Sequence, residues 1–126
     1  MNSFKKQVTE TPGGGNALGC FLCGSCTAGC PVNEIDDAYN PRRLMRMILL
    51  DMKEEVLASK ELWKCSQCHT CVAHCPQDVR FADVVRVLRE LAVAAEYAPV
   101  SLAEKVTQID KDAQKQRIDN INKLLA

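Results

Sequence analysis

The stretch CFLCGSCTAGCP, at residues 20–31, decides how this chain folds because it gathers four cysteines within eleven residues. A second stretch, CSQCHTCVAHCP at residues 65–76, repeats the pattern C-x2-C-x2-C-x3-C-P. These two stretches, the first and second cysteine segments, contain all eight cysteines of the chain. Their spacing is typical of segments that hold a cubane 4Fe–4S cluster.

The spacing predicts two 4Fe–4S clusters with crossed ligands. In such segments the first three cysteines bind three irons from one tight loop, and the fourth leaves the loop and reaches the other cluster. The first cluster is therefore expected to be bound by Cys20, Cys23, Cys26 and Cys75. The second is expected to be bound by Cys65, Cys68, Cys71 and Cys30. The same eight residues are the predicted metal ligands, and no catalytic residue is predicted.

Zinc and disulfide bonds are the alternatives for so many cysteines. Zinc takes four ligands, usually from two separated C-x2-C pairs, whereas each segment here adds a third cysteine at the same step and a proline after the fourth. Disulfides need an oxidising compartment, and residues 1–15 contain no apolar run of the kind found in signal peptides. The complete, duplicated pattern favours iron–sulfur clusters.

The composition suits one small domain built around its cofactors. Of the 126 residues 47% are apolar but only six are aromatic, so a conventional core would be thin. Two buried clusters would fill the space that aromatic side chains otherwise occupy. Cluster binding is then expected to be coupled to folding.

Charge and hydropathy argue against two classes of partner. Sixteen basic and sixteen acidic residues cancel, and two oxidised cubanes with their thiolates add about −4, so no nucleic-acid partner is expected. The strongly apolar stretch 45–52 is interrupted by Arg46 and Asp51, so no membrane span is predicted. We therefore expect a soluble, cytoplasmic protein.

The residues between the cysteine segments predict a helical scaffold. Asn40 is suited to an N-cap and Pro41 to a first helical position, and apolar residues recur at i+4 from there, which predicts a helix over 41–58. Ser59 is expected to cap a short helix over 60–64. A short β-hairpin connection would not hold such helices, so we expect an all-α fold with two cluster-binding loops.

Two further helices are predicted after the second segment. One runs from Phe81 to near Tyr97, and the last is capped by Ser101 with Glu104 in a capping box. The predicted organisation is a loop or flexible lead-in over 1–19, a two-cluster domain over 20–98 and a C-terminal helix over 99–126. The last helix is expected either to pack on its own domain or to dock on a partner protein.

Three arginines and a tryptophan have two interpretations each. Arg42, Arg43 and Arg46 either form a solvated face, or they offset cluster charge or meet an acidic partner surface. Trp63 either packs around the second cluster or also shields it from water.

The two segments differ at two internal positions. His69 and His74 of the second segment stand where the first has Gly24 and Gly29. The histidines are expected beside the cluster or in solvent rather than as ligands. The glycines are expected to supply positive φ angles in a tight loop.

The chain resembles the C subunit of heterodisulfide reductase. The resemblance is carried by CGSCTAGCP at 23–31, NPRRLMRM at 40–47 and LWKC at 62–65 with the rest of the second segment, and it covers about residues 18–96. The wider group shares a scaffold called the α-helical ferredoxin. It includes the iron–sulfur parts of succinate dehydrogenases, fumarate reductases and anaerobic glycerol-3-phosphate dehydrogenase.

The resemblance implies an iron–sulfur protein that passes single electrons from a flavin-containing A subunit to a catalytic, disulfide-reducing B subunit. The chain itself is expected to have no substrate site, so whether it counts as an enzyme stays open. A free-standing two-cluster carrier is one alternative. The iron–sulfur component of a related anaerobic dehydrogenase or reductase is another.

Overall fold

A computed structural model describes residues 3–126 of the chain. The described residues form α-helices and 3₁₀ turns, with no β-strand among them, so the predicted all-α fold is confirmed. The α-helices are α1 (Phe4–Glu10), α2 (Ser25–Ala28), α3 (Pro31–Ile35), α4 (Pro41–Leu49), α5 (Lys53–Leu57), α6 (Thr70–His74), α7 (Phe81–Ala94) and α8 (Val100–Leu125). The 3₁₀ turns span Ala17–Gly19 and Lys60–Trp63.

Helix α7 is the centre of the core. It packs against α1, α5, α6 and the second 3₁₀ turn. Its buried residues recur on the side that faces these elements, which is the pattern expected of an amphipathic helix. They are Phe81, Ala82, Val84, Val85, Val87, Leu88 and Ala92.

The predicted helix over 41–58 is wrong, because the chain breaks it into α4 and α5. Asn40 caps α4 as expected, its side-chain oxygen accepting a hydrogen bond from the Arg43 backbone N–H at 3.1 Å. At the break Asp51 has a φ of 57°, a left-handed conformation that aspartate tolerates better than most residues. Its carboxylate accepts a hydrogen bond from the Lys5 backbone N–H at 2.9 Å. The break therefore also fastens α4 to α1.

The N-terminal region contributes to the core. Phe4 and Val8 of α1 are buried, and Asn16 donates a side-chain hydrogen bond to the Asp78 carbonyl at 2.9 Å. The composition had predicted a loop or flexible lead-in here. The division of the chain at residues 19 and 98 stays a prediction.

The last helix begins differently from its prediction. Pro99 is the N-cap of α8 and Ser101 lies inside the first turn, so the capping box of Ser101 and Glu104 is not formed. Ser59 does cap the turn that follows it, accepting a hydrogen bond from the Glu61 N–H at 3.0 Å, but that turn is 3₁₀ rather than α. Helix α8 has 26 residues, about 39 Å of length, and none of them is buried.

Candidate iron–sulfur centres

The two cysteine segments fold in the same way. Leu22 and Gln67, at equivalent positions, have φ angles of 60° and 57°. Gly24 and His69 are also left-handed, at 85° and 63°, and each precedes a short helix, α2 or α6. The two short helices pack against each other. Each segment therefore wraps its first three cysteines around a hollow, and the α2–α6 contact holds the two hollows side by side.

The first cavity brings together the first predicted set of cysteines. It encloses about 410 Å³ of space, open mouth included. Its cysteines are Cys20, Cys23, Cys26 and Cys75. The remaining wall is mainly apolar, with Arg42 as its charged member.

The second cavity brings together the second predicted set. It encloses about 310 Å³, again with its mouth. Its cysteines are Cys30, Cys65, Cys68 and Cys71. Tyr39, Val32 and Ala82 are among its other wall residues. Each cavity thus contains the fourth cysteine of the opposite segment, and ligation of a cluster by these sets stays a prediction.

Backbone N–H groups and hydroxyl groups surround the sulfur atoms. The N–H groups of Leu22 and Gln67 donate to Cys20 and Cys65 at 3.4 Å. The hydroxyl groups of Ser25 and Thr70 lie 3.4 and 3.3 Å from the sulfurs of Cys23 and Cys68, one in each segment. The fourth cysteines accept from the N–H groups of Asn33 and Val79 at 3.5 and 3.4 Å. The backbone N–H donors stabilise negative charge on sulfur, while the Ser25 and Thr70 hydroxyl oxygens accept from the Cys23 and Cys68 thiols.

The thiols differ in how readily they lose a proton. Burial raises the pKa of Cys26 and, together with the charge of Cys65, raises the pKa of Cys71 to about 11. The hydrogen bond with Ser25 lowers the pKa of the exposed Cys23. At Cys68 burial acts upward, but hydrogen bonds with Thr70 outweigh it and the pKa is lowered. The partly buried Cys26 and Cys71 therefore hold their protons more tightly than the exposed Cys23 and Cys68.

Two arginines approach the cavities from opposite helices. Arg42 donates from Nε to the Leu22 carbonyl at 2.7 Å, inside the first loop. Arg89 donates to the Leu62 and Cys65 carbonyls at 2.9 and 2.7 Å. Its guanidinium carbon also lies 5.3 Å from the ring centre of Trp63. This contact holds Trp63 against the Arg89 guanidinium.

The predicted roles of Gly24 and Gly29 are half correct. Gly24 has the expected positive φ, but Gly29 has a φ of −97°. A Cβ at Gly29 would instead lie 3.0 Å from Cδ2 of His74. A side chain at Gly29 would therefore require the His74 ring to shift by a few tenths of an ångström. His69 and His74 are exposed, and His69 adopts the left-handed conformation without being a glycine.

Tyr39 and Gln67 were missed by the sequence reasoning. Tyr39 is buried against the second cavity, and the Gln67 side-chain amide lies 3.5 Å from the Cys65 sulfur. Nothing in the cysteine spacing points to either residue. The place of Tyr39, directly before the N-cap of α4, was the available signal.

The donor sets fit cubane clusters. All eight cysteines are free thiols, and each cavity offers four of them, one for each iron of a cubane. Among residues 3–126 no three His, Cys, Asp or Glu side chains converge on one point as a single metal ion requires. A cubane has no such requirement, because its four thiolates bind four separate irons.

A helix that crosses a membrane must be both long and apolar. Within the described residues, no helix combines the length and the apolar character needed to cross a membrane.

Comparison with known proteins supports the cofactor prediction. Residues 19–80 match a family model described as a 4Fe-4S dicluster domain. The predicted cofactors, two 4Fe–4S clusters, are thereby confirmed.

Three curated relatives are similar to this chain over 62–79% of its length. The iron–sulfur C2 subunit of the CoB–CoM heterodisulfide reductase of Methanocaldococcus jannaschii is 36% identical over 88 residues, 70% of this chain and 45% of the relative. The corresponding C subunit of Methanopyrus kandleri is 40% identical over 78 residues, 62% of this chain and 40% of the relative. The C subunit of the H(2):CoB-CoM heterodisulfide,ferredoxin reductase of Methanothermobacter marburgensis is 36% identical over 101 residues, 79% and 54% respectively. The chain thus spans about half the length of these relatives.

Proposed function

Because this chain is a relative of the C subunits of heterodisulfide reductases, as its cysteine segments predicted, we propose that it is the iron–sulfur electron-transfer subunit of a heterodisulfide reductase-type complex. In this proposal it relays single electrons from a flavin-containing A subunit to a catalytic, disulfide-reducing B subunit. The complex is placed in the cytoplasm, a reducing compartment that suits eight free thiols.

The observation that carries the proposal is the pair of four-cysteine cavities. One collects Cys75 with the first three cysteines of the first segment, and the other collects Cys30 with those of the second. This supports crossed ligation, with Cys20, Cys23, Cys26 and Cys75 on one cluster and Cys65, Cys68, Cys71 and Cys30 on the other. Crossed ligation fixes the two centres at one separation, as electron transfer between them requires.

The residues of the chain supply position and electrostatics. A bound cubane takes up and releases one electron at a time. The N–H donors at Leu22 and Gln67 and the hydroxyl groups of Ser25 and Thr70 are fixed before any electron arrives. Because they belong to the backbone or to helix N-terminal turns, little rearrangement accompanies a change of charge.

Helix α8 favours a complex over a free-standing carrier. None of its residues is buried, and Ile109, Leu124 and Leu125 are 64%, 85% and 80% exposed. An isolated carrier would place these side chains in water, whereas a partner protein would cover them. We therefore assign residues 99–126 to partner docking within the proposed complex.

The test is anaerobic purification of the chain with its native partners. We expect eight irons and eight sulfides per chain, together with a flavoprotein and a second iron–sulfur protein identified by mass spectrometry. Removal of residues 109–126 should release the partners while the iron content stays unchanged. A chain that carries eight irons but purifies as a monomer from its source would support the free-standing carrier instead. Stoichiometric zinc without iron would overturn both.

A further inference from the structure

The two cavities are built alike but differ in several wall residues, and two of these differences lie just outside the cysteine segments, where a polar side chain stands in one cavity and an apolar one at the equivalent position of the other. After each segment the chain enters a core helix, α4 at Pro41 and α7 at Phe81. Two places before these helices stand Tyr39, which lines the second cavity, and Val79, which lines the first. The second residues of the helices are Arg42, which lines the first cavity, and Ala82, which lines the second.

Tyr39 brings a phenol into the second cavity. Its side chain is 1% exposed, and its carbonyl accepts a hydrogen bond from the Asn33 side chain at 2.7 Å, which fixes the backbone there. Tyr39 thus places a phenol among the residues that line the cavity of Cys30, Cys65, Cys68 and Cys71, whereas Val79 offers no side-chain donor to the first cavity.

Arg42 brings a positive charge to the first cavity. Its backbone N–H donates to the Thr27 hydroxyl at 2.9 Å and its Nε to the Leu22 carbonyl at 2.7 Å. A Cβ at Gly24 would lie 3.4 Å from its Cδ, so the side chain runs closely over the first loop. In the described part of the chain no carboxylate forms an ion pair with Arg42. Its charge is therefore not neutralised locally, and Ala82 has none.

We infer that Tyr39 and Arg42 are tuning residues that act on different clusters, Tyr39 raising the reduction potential of the second and Arg42 that of the first. The inference rests on the proposed function. Reduction adds one electron, and hence one negative charge, to a cluster whose thiolates are already negative. A hydrogen-bond donor or a cation beside the sulfurs stabilises the reduced form more than the oxidised form. The chain can thus set its two potentials separately although its two loops have the same backbone.

The test is a redox titration of the full-length holoprotein followed by electron paramagnetic resonance. The wild type should contain eight irons and show two one-electron steps. Tyr39→Phe should lower the midpoint potential of one step by about 59 mV, which is a tenfold loss of electron affinity for a one-electron couple. Arg42→Gln should lower the other step by a smaller amount, because an exposed charge is screened by water. The double variant should show both shifts.

Arg43→Gln is the matched control. Arg43 neighbours Arg42 in the first turn of α4 and is likewise exposed, but it lines neither cavity. It should leave both steps in place. If Tyr39→Phe binds fewer than eight irons, Tyr39→Leu, which copies the alkyl character of Val79, is titrated by the same criteria.

The outcomes separate this inference from the proposed function. Shifts confined to different steps would support it. Unchanged potentials, or both variants moving the same step, would overturn it and leave the electron-transfer function intact. A wild type without two iron–sulfur steps would instead overturn the function on which the inference rests.

Discussion

Gly14→Ala should detach α1 from the core, although it changes a residue in an unremarkable glycine triplet. Gly14 is buried and its φ is not in the left-handed region, so space rather than conformation excludes a side chain. A Cβ there would overlap the backbone carbonyl of Val8. That carbonyl belongs to α1 and cannot turn away as a flexible side chain could.

The size of the effect follows from what α1 buries. A modest shift that absorbs the extra methyl would cost about 1–3 kcal/mol of unfolding free energy. If α1 is displaced, Phe4 and Val8, which are 4% and 0% exposed, lose their burial. Each is worth about 1.5–3 kcal/mol, so together the loss would be about 3–6 kcal/mol.

Hydrogen exchange of the α1 amides in the holoprotein measures this directly. Gly15→Ala is the control, because a Cβ at Gly15 meets no atom within 4 Å, and a change of less than about 0.5 kcal/mol is expected there. Faster exchange throughout α1 in Gly14→Ala alone would agree with the structure. Equal exchange in the two variants would refute the close packing of α1 against Gly14.

Three further predictions concern the cofactors and their support. If ligation is crossed, Cys75→Ser and Cys23→Ser should abolish the same electron paramagnetic resonance signal. Cys30→Ser and Cys68→Ser should abolish the other signal. Loss of the same signal in Cys75→Ser and Cys68→Ser would contradict crossed ligation. Removal of iron by a chelator under anaerobic conditions should abolish the cooperative thermal transition seen by circular dichroism, because folding and cluster binding are expected to be coupled. An unchanged melting curve would mean that the core folds independently of the clusters. Arg89→Ala should lower the free energy of unfolding by about 1.5–3 kcal/mol because it leaves the Leu62 and Cys65 carbonyls unpaired. Thermal melts of the holoprotein measure this loss, and Arg86→Ala, an exposed residue of the same helix, is the control.

The cysteine spacing predicted the grouping of the eight thiols, because a short repeated motif fixes its own local geometry. It could not predict the break at Asp51, since that break depends on a hydrogen bond from Lys5, 46 residues away. The i+4 pattern of apolar residues continues through the break and therefore indicated one helix. The same limit applies to Gly29, where the space for a side chain is restricted by His74 of the other segment.

Tyr39 illustrates a different limit. The sequence shows an aromatic residue before an N-cap, which is consistent with core packing alone. Only a comparison of the folded segments shows that Tyr39 and Val79 occupy equivalent positions, Tyr39 in the wall of the second cavity and Val79 in the wall of the first. Duplicated segments are thus most informative where they differ.

The contact between α2 and α6 matters both for stability and for the proposed electron transfer. Neither cavity is complete within one segment, since each takes its fourth cysteine from the other. The close approach of Gly29 and His74 lies on this contact, next to Cys30 and Cys75. Any change that separates the two short helices therefore removes a thiol from both cavities at once. The packing of α2 against α6 therefore also sets the separation of the two cavities, on which the proposed electron transfer depends.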